Sequence, residues 1–283
     1  MRLAIAIELA GVLAVLVGLG GCQGEPGRNR ALCPVPPEVS AELRPLEESG
    51  FVAHAGGSPY GLQQLEHYTN SREAFEISYE NGFRVFEFDF VVLADGAVLV
   101  AHDYHEAEYG LSLSFHDAIR ADVEGALWRG KYQVMFAEDI IDLMVAYPTI
   151  WIILDSKWGH VEVAKAMVEL APDTGVLDRI VPHLASDEHA AAIPDIYPFP
   201  EQMVAGYRWR GSDDEFLSRM ERYGVDNIML WWDTRWSEGL QDRLDQAGHR
   251  VWVHSPTDAA VIEDFRARGV GVYSNGYITC PAE

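Results

Sequence analysis

From residue 51 onward, short apolar runs alternate with amphipathic stretches, and this alternation narrows the possible folds more than any other feature. The runs cover 51–54, 85–92, 98–102, 149–155, 180–184, 203–207, 227–232, 251–254 and 271–278. Between them, 71–80, 138–147, 161–170, 213–223, 238–246 and 258–268 carry helical periodicity, and Gly82, Gly224, Gly248 and Gly269 stand where helices end. Strand–helix repetition of this kind produces a parallel sheet wrapped by helices. The number of runs fits a single-domain (β/α)8 TIM barrel over 51–283, with 98–102 as the return of a hairpin turning at Asp95-Gly96. The stretch 104–137 has no clean period and reads as an insertion after the second strand and its hairpin, over the barrel mouth.

An open doubly wound sheet is the competing architecture, and the placement of polar residues separates the two. His54, Glu87, Asp89, His102, Asp155 and Lys157 each sit at or near the C-terminal end of an apolar run. In a barrel that is the face where the βα loops gather and where active sites are built. A doubly wound sheet would concentrate them at its switch point instead.

Alternation along 85–90 sends Phe86, Phe88 and Phe90 outward and Glu87 and Asp89 into the barrel. Two inward carboxylates repel each other, and burying them unpaired is expensive. A hard divalent cation with oxygen ligands, Mg2+ or Ca2+, solves both problems. Asp155 is a candidate third ligand, and Lys157, on the same face, is a candidate phosphate contact or partner of the carboxylates. Zinc is disfavoured, because no Cys pair accompanies His102-x-x-His105. Neither Gly-x-Ser-x-Gly nor a P-loop is present.

Ala53-His54-Ala55-Gly56-Gly57, then 68–75, Asn81-Gly82-Phe83, Phe86-Glu87-Phe88-Asp89, Asp95-Gly96 and Val100-Ala101-His102-Asp103 follow one another in an order and spacing that resemble the glycerophosphodiester phosphodiesterase family. Within it, the chain looks like the bacterial branch grouped with phosphatidylinositol-phospholipase-C-like phosphodiesterases. The resemblance is specific over 51–103, extends to Asp155-x-Lys157, and is otherwise at the level of fold apart from the strand 251–254. It implies a TIM barrel, one bound Mg2+ or Ca2+, and hydrolysis of a phosphodiester. By motif, His54 and His102 map onto the catalytic histidine pair, and Glu87 and Asp89 onto metal ligands.

Several positions depart from the family pattern. Ala55 stands where an arginine usually follows the first histidine, so phosphate binding falls to the metal, Lys157 or another group. The third ligand is Asp155 rather than glutamate, and His254-Ser255-Pro256 replaces a Trp-Thr-x-Asn sequence. The set also resembles sphingomyelinase-D relatives on the same barrel, so a lipid substrate is the alternative to a water-soluble glycerophosphodiester. A non-catalytic envelope binding protein is a further alternative, disfavoured by the retained histidines and carboxylates. Asn70 is expected to orient the first histidine, bind phosphate, or cap the helix at 71–80. Trp252 is expected to wall the pocket or fill the core.

Residues 1–21 read as an export signal: Arg2, a short apolar run from Leu9, and an end at Leu19-Gly20-Gly21-Cys22 that resembles a lipobox. The expectation is a lipoprotein acylated at Cys22 and anchored in a bacterial cell envelope, with 22–50 as tether and N-terminal extension. The alternative is an ordinary signal peptide and a secreted protein. Cys33 and Cys280 then remain as an expected disulfide between the two ends of the domain. With 21 Lys+Arg against 44 Asp+Glu, the net charge is −23, which argues against a nucleic-acid partner. A monomer acting on a small-molecule or lipid phosphodiester is expected.

Overall fold

The structure is a computed structural model and describes residues 46, 49–60 and 66–276. The segment 1–21, Cys22, Cys33, most of 22–50 and Cys280 lie outside the described residues. The chain divides into Met1–Arg30 and Ala31–Glu283, and every described residue belongs to the second unit.

The strands, in chain order, begin with β1 (Phe51–Ala53), β2 (Val85–Val92), β3 (Val98–Val100), β4 (Leu127–Trp128), β5 (Tyr132–Gln133) and β6 (Met135–Phe136). They continue with β7 (Trp151–Ser156), β8 (Ile180–Leu184), β9 (Met203–Ala205), β10 (Asn227–Trp231), β11 (Arg250–His254) and β12 (Gly271–Ser274). β1, β2 and β7 to β12 pair in parallel around a ring, which closes where β1 lies between β2 and β12. Closure rules out the open sheet. Every run expected as a strand forms one, the second and the fifth with the same bounds as expected.

β2 and β3 form the expected hairpin, turning at Gly96, whose φ of 86° suits the absence of a side chain. Beyond β3 the insertion holds a short helix, α2 (Arg120–Val123), the small β4–β5 ladder, and β6, which pairs antiparallel with β3. It has a hydrophobic cluster of its own, including Tyr109, Phe115, Val123 and Trp128 against Val91 and Leu99.

The helical layer comprises α1 (Arg72–Glu80), α3 (Ala137–Ala146), α4 (His160–Leu170), α5 (Thr174–Leu177), α6 (Asp187–Ile196), α7 (Asp213–Tyr223), α8 (Glu238–Gln246) and α9 (Ala259–Ala267). Neither α5 nor α6 was expected from the sequence. Pro194 interrupts the helical pattern of α6, yet Ser186 caps its N-terminus and Ala190 and Ile193 are buried against the barrel. Among the described residues, no helix is long and apolar enough to cross a membrane.

Strand alternation sorts the core into two faces. Phe86, Phe88 and Phe90 point outward with Ile152, Leu154 and Phe75 into the layer between sheet and helices. Inward, Val52, Val85, Ile153, Val181, Met203, Met229, Trp252 and Tyr273 fill the barrel. Trp252 belongs to this packed interior: it is 2% exposed and its Nε1 points to Asn227 Oδ1 at 3.4 Å. The expectation that it walls the pocket is therefore corrected, since it lies one inward step before His254 on β11, beneath the C-terminal mouth.

Candidate active site

The site begins where β1 ends. His54 opens a turn through Ala55, whose φ of 50° and ψ of 41° are left-handed, and Gly57, whose φ is 93°. A Cβ on Gly57 would stand 2.0 Å from Ser78 Oγ, so this tight turn needs glycine. The turn aims the Ala55 N–H at Glu87 Oε2, 2.7 Å away. Ala55 itself is fully buried, which leaves no room for a long side chain at this position.

Glu87, Asp89 and Asp155 converge inside the mouth as alternation requires, because β2 and β7 pair with Asp89 beside Asp155. Each offers a carboxylate oxygen within 4.8 Å of the others, and all three are buried. Lys157 Nζ lies 2.5 Å from Asp89 Oδ1 and 2.7 Å from Asp155 Oδ2. Of the two roles expected for Lys157, partner of the carboxylates is the one the geometry shows.

Burial, and then the Asp89 and Asp155 carboxylates, push Glu87 well above the usual carboxylate range. Burial acts the same way on Asp155, but Lys157 and His183 overcome it and hold that carboxyl well below its ordinary value. Asp89 is also held low, by Lys157 and His102 against burial. Three carboxylates thus share one close ammonium, and for Glu87 neither Lys157 nor the Ala55 N–H offsets burial and its two acidic neighbours.

Asp89 Oδ1 has the Lys157 ammonium beside it, whereas Asp155 Oδ1 receives no aligned hydrogen bond and has His183 Nδ1 at 3.4 Å and Arg208 Nη2 at 3.9 Å. Three buried carboxylates, hard oxygen donors that share a single close ammonium, fit a Mg2+- or Ca2+-type cation.

Asn70 is committed to Asp89. Its Nδ2 donates to Asp89 Oδ2 at 2.8 Å, and its Oδ1 accepts from the Asp89 N–H at 3.0 Å. These two bonds tie Asn70 to the carboxylate set, a role not among those expected, and the cap of α1 is Ser71, whose Oγ accepts from the Ala74 N–H. The loop delivering Asn70 holds Glu66, Tyr68 and Asn70 at positive φ, backbone strain of the kind that accumulates where side chains are aimed.

The Tyr68 ring stands between the two predicted histidines, edge-on to His54 at 4.6 Å and to His102 at 5.3 Å. His102 Nδ1 lies 2.8 Å from the Asp103 carbonyl and 2.9 Å from Asp103 Oδ1. Both partners only accept, so Nδ1 carries the hydrogen and Nε2 is the working nitrogen. His54 is 2% exposed, and burial, the dominant influence, lowers it to about 4, so it is neutral near pH 7.

Sequence reasoning missed several residues at this mouth. His183 donates to or accepts from the Tyr273 hydroxyl at 3.0 Å. Arg208, just after β9, reaches toward Asp155 and donates from Nε to the Tyr207 hydroxyl at 3.1 Å. Asn275 and His254 flank His54. Trp231, 41% exposed, packs against Tyr207 and His254 and occupies the wall position expected of Trp252. Inward parity on β10, β11 and β12 was the available signal for Trp231, His254 and Asn275. Arg208 follows a 3-10 turn that parity does not describe.

Behind the site, His160 and His189 stack at 3.8 Å, with His160 Nε2 and His189 Nδ1 lacking hydrogen-bond partners. Burial, then His189, lowers His160 to about 3, and burial lowers His189 as well. Unfolded histidine titrates near pH 6.5, so between about 6.5 and about 3 the unfolded chain binds more protons and stability falls as pH falls. The denaturant midpoint is expected to drop between about pH 7 and about pH 5, and His160→Leu to flatten that slope. An unchanged slope in the variant would assign the acid sensitivity to other groups.

No family model and no curated protein matches the sequence. Among solved structures, the chain is similar to a Galdieria sulphuraria protein assigned as a glycerophosphodiester phosphodiesterase: 13% identity and TM-score 0.68 over 80% of this chain and 93% of that one. An Oleispira antarctica phosphodiesterase in complex with the product sn-glycerol-3-phosphate is 14% identical, with TM-score 0.65 over 80% and 92%. A glycerophosphodiester phosphodiesterase from Agrobacterium tumefaciens is also 14% identical, with TM-score 0.62 over 80% and 94%. At these identities the likeness is one of fold.

Proposed function

We propose that this chain is a metal-dependent phosphodiester hydrolase acting on glycerophosphodiesters by histidine acid–base catalysis. The observation that carries the reading is the cluster of three inward carboxylates at the C-terminal mouth of the barrel, with His54 and His102 beside it. Barrels of the same fold bearing glycerophosphodiester phosphodiesterase assignments support it.

Glu87, Asp89 and Asp155 would hold one Mg2+ or Ca2+, which would supply positive charge to offset the negative charge developing on the phosphate. Asn70 fixes the Asp89 carboxylate, and the Ala55 N–H fixes that of Glu87. Lys157 limits repulsion within the set. Arg208, partly exposed at the mouth, takes the phosphate-contact role for which Ala55 has no side chain. His54 holds the proton removed from the attacking water or substrate hydroxyl, and His102 Nε2 protonates the leaving alkoxide. Tyr68 keeps the two rings apart, so that each serves one side of the phosphorus.

The test is a substrate panel of glycerophosphocholine, glycerophosphoinositol, lysophosphatidylcholine and sphingomyelin, with and without EDTA. Cation-dependent cleavage of the glycerophosphodiesters supports the reading, and failure to cleave any member would sink it. Cleavage confined to the two lipids would favour the sphingomyelinase-D-like alternative, for which Trp231 and Trp232, both exposed, are the supporting observation.

Lipid anchoring at Cys22 belongs to the same reading. Cys22→Ser is expected to move the protein from the membrane to the soluble fraction, whereas Cys33→Ser leaves it in place. Mass spectrometry of the mature N-terminus checks this directly. An unmodified Cys22, or a Cys22–Cys33 disulfide, would replace the anchored lipoprotein by a secreted enzyme and remove Cys33 from its expected pairing with Cys280.

A further inference from the structure

His54 is engaged on both ring nitrogens. Nδ1 lies 2.7 Å from Asn275 Oδ1, an oxygen that only accepts, so Nδ1 carries a proton. In the neutral ring Nε2 then keeps its lone pair, and that lone pair faces His254 Nε2 at 2.9 Å. Two lone pairs at this separation would repel, so His254 Nε2 bears the hydrogen and donates it. The neutral His254 ring therefore has an unprotonated Nδ1, with no hydrogen-bond partner among the described residues.

Exposure points the same way. His54 is almost fully enclosed, while His254 at the end of β11 is only partly buried, its ring between His54 and the exposed Trp231. The accepting nitrogen of His54 is taken by His254, and the basic nitrogen of the pair without a partner among the described residues is Nδ1 of His254.

Resting on the phosphodiesterase reading, we propose that His54 and His254 form a two-histidine proton relay with His254 as its outer member. As the attacking oxygen bonds to phosphorus, its O–H bond breaks and the proton goes to His254 Nδ1. The Nε2 proton of His254 crosses the 2.9 Å contact to His54 Nε2. His54 becomes the imidazolium, held by Asn275 Oδ1, and His254 ends neutral with its hydrogen on Nδ1. The leaving alkoxide takes its proton from His102, and the cycle closes when the relay gives one proton to solvent and His102 takes one back.

The test uses the full chain with its divalent cation, and the variants His254→Ala and His254→Gln. Expected are a fall in kcat of about 100-fold in both, the low end for losing a positioned acid–base group, with KM little changed. Free imidazole is expected to restore part of the loss in His254→Ala, which a purely structural role would not allow. Heteronuclear NMR of the imidazole nitrogens in substrate-free wild-type protein should find His54 protonated on Nδ1 and His254 on Nε2. Wild-type kcat in either folded variant, a loss that imidazole does not relieve, or His254 protonated on Nδ1 at rest would overturn the relay. If the wild-type protein cleaves no phosphodiester, the functional reading fails, and the NMR measurement still decides the hydrogen-bond arrangement.

Discussion

Chelation of divalent metal is expected to abolish turnover, with a loss of about 1000-fold or more, because such an ion supplies several kcal/mol of transition-state charge stabilisation. Mg2+ or Ca2+ should restore it. The expectation rests on buried carboxylate oxygens of Glu87, Asp89 and Asp155 within 4.8 Å of one another and on a single ammonium close by. Asp155→Asn should produce a comparable loss and weaken metal binding as measured by calorimetry. The substitution also removes one of the two carboxylates that flank the buried Lys157, so thermal unfolding must be followed in parallel. Full activity in EDTA from protein shown to be metal-free would remove the metal from the reading. Lys157 and Arg208 would then be the cations left to meet the phosphate.

His54→Ala and His102→Ala should each lower kcat by about 100-fold to 10,000-fold, the range for losing a positioned general acid or base. The two variants should differ in their structural consequences. His102 lies at the rim, its side chain 27% exposed, bonded only to its neighbour Asp103, and its removal should leave stability nearly unchanged. His54 is enclosed, and its loss strands Asn275 Oδ1 and His254 Nε2, so a measurable drop in the denaturation midpoint should accompany the lost activity. Near-wild-type kcat in His102→Ala would move the leaving-group proton elsewhere, with His105 the neighbouring ring at 5.1 Å.

The sequence by itself determined the barrel and the carboxylates and two histidines of its mouth. Period-two alternation placed Glu87 and Asp89 inward and Phe86, Phe88 and Phe90 outward, and strand ends placed His54, His102 and Asp155 on one face; the structure brings the three carboxylates together and sets both histidine rings against Tyr68. These features are local, because the direction of a side chain on a strand follows from its parity. Tertiary structure decided which groups touch. The bidentate hold of Asn70 on Asp89 crosses 19 residues, and the contact of His254 with His54 crosses 200. The second pair exists only because ring closure brings β11 and β12 beside β1, and no short window of sequence contains both of its partners. The same holds for Trp252 and Trp231: both point inward, but depth along the barrel axis is set by the stagger between strands, which put Trp252 in the packed interior and Trp231 at the opening.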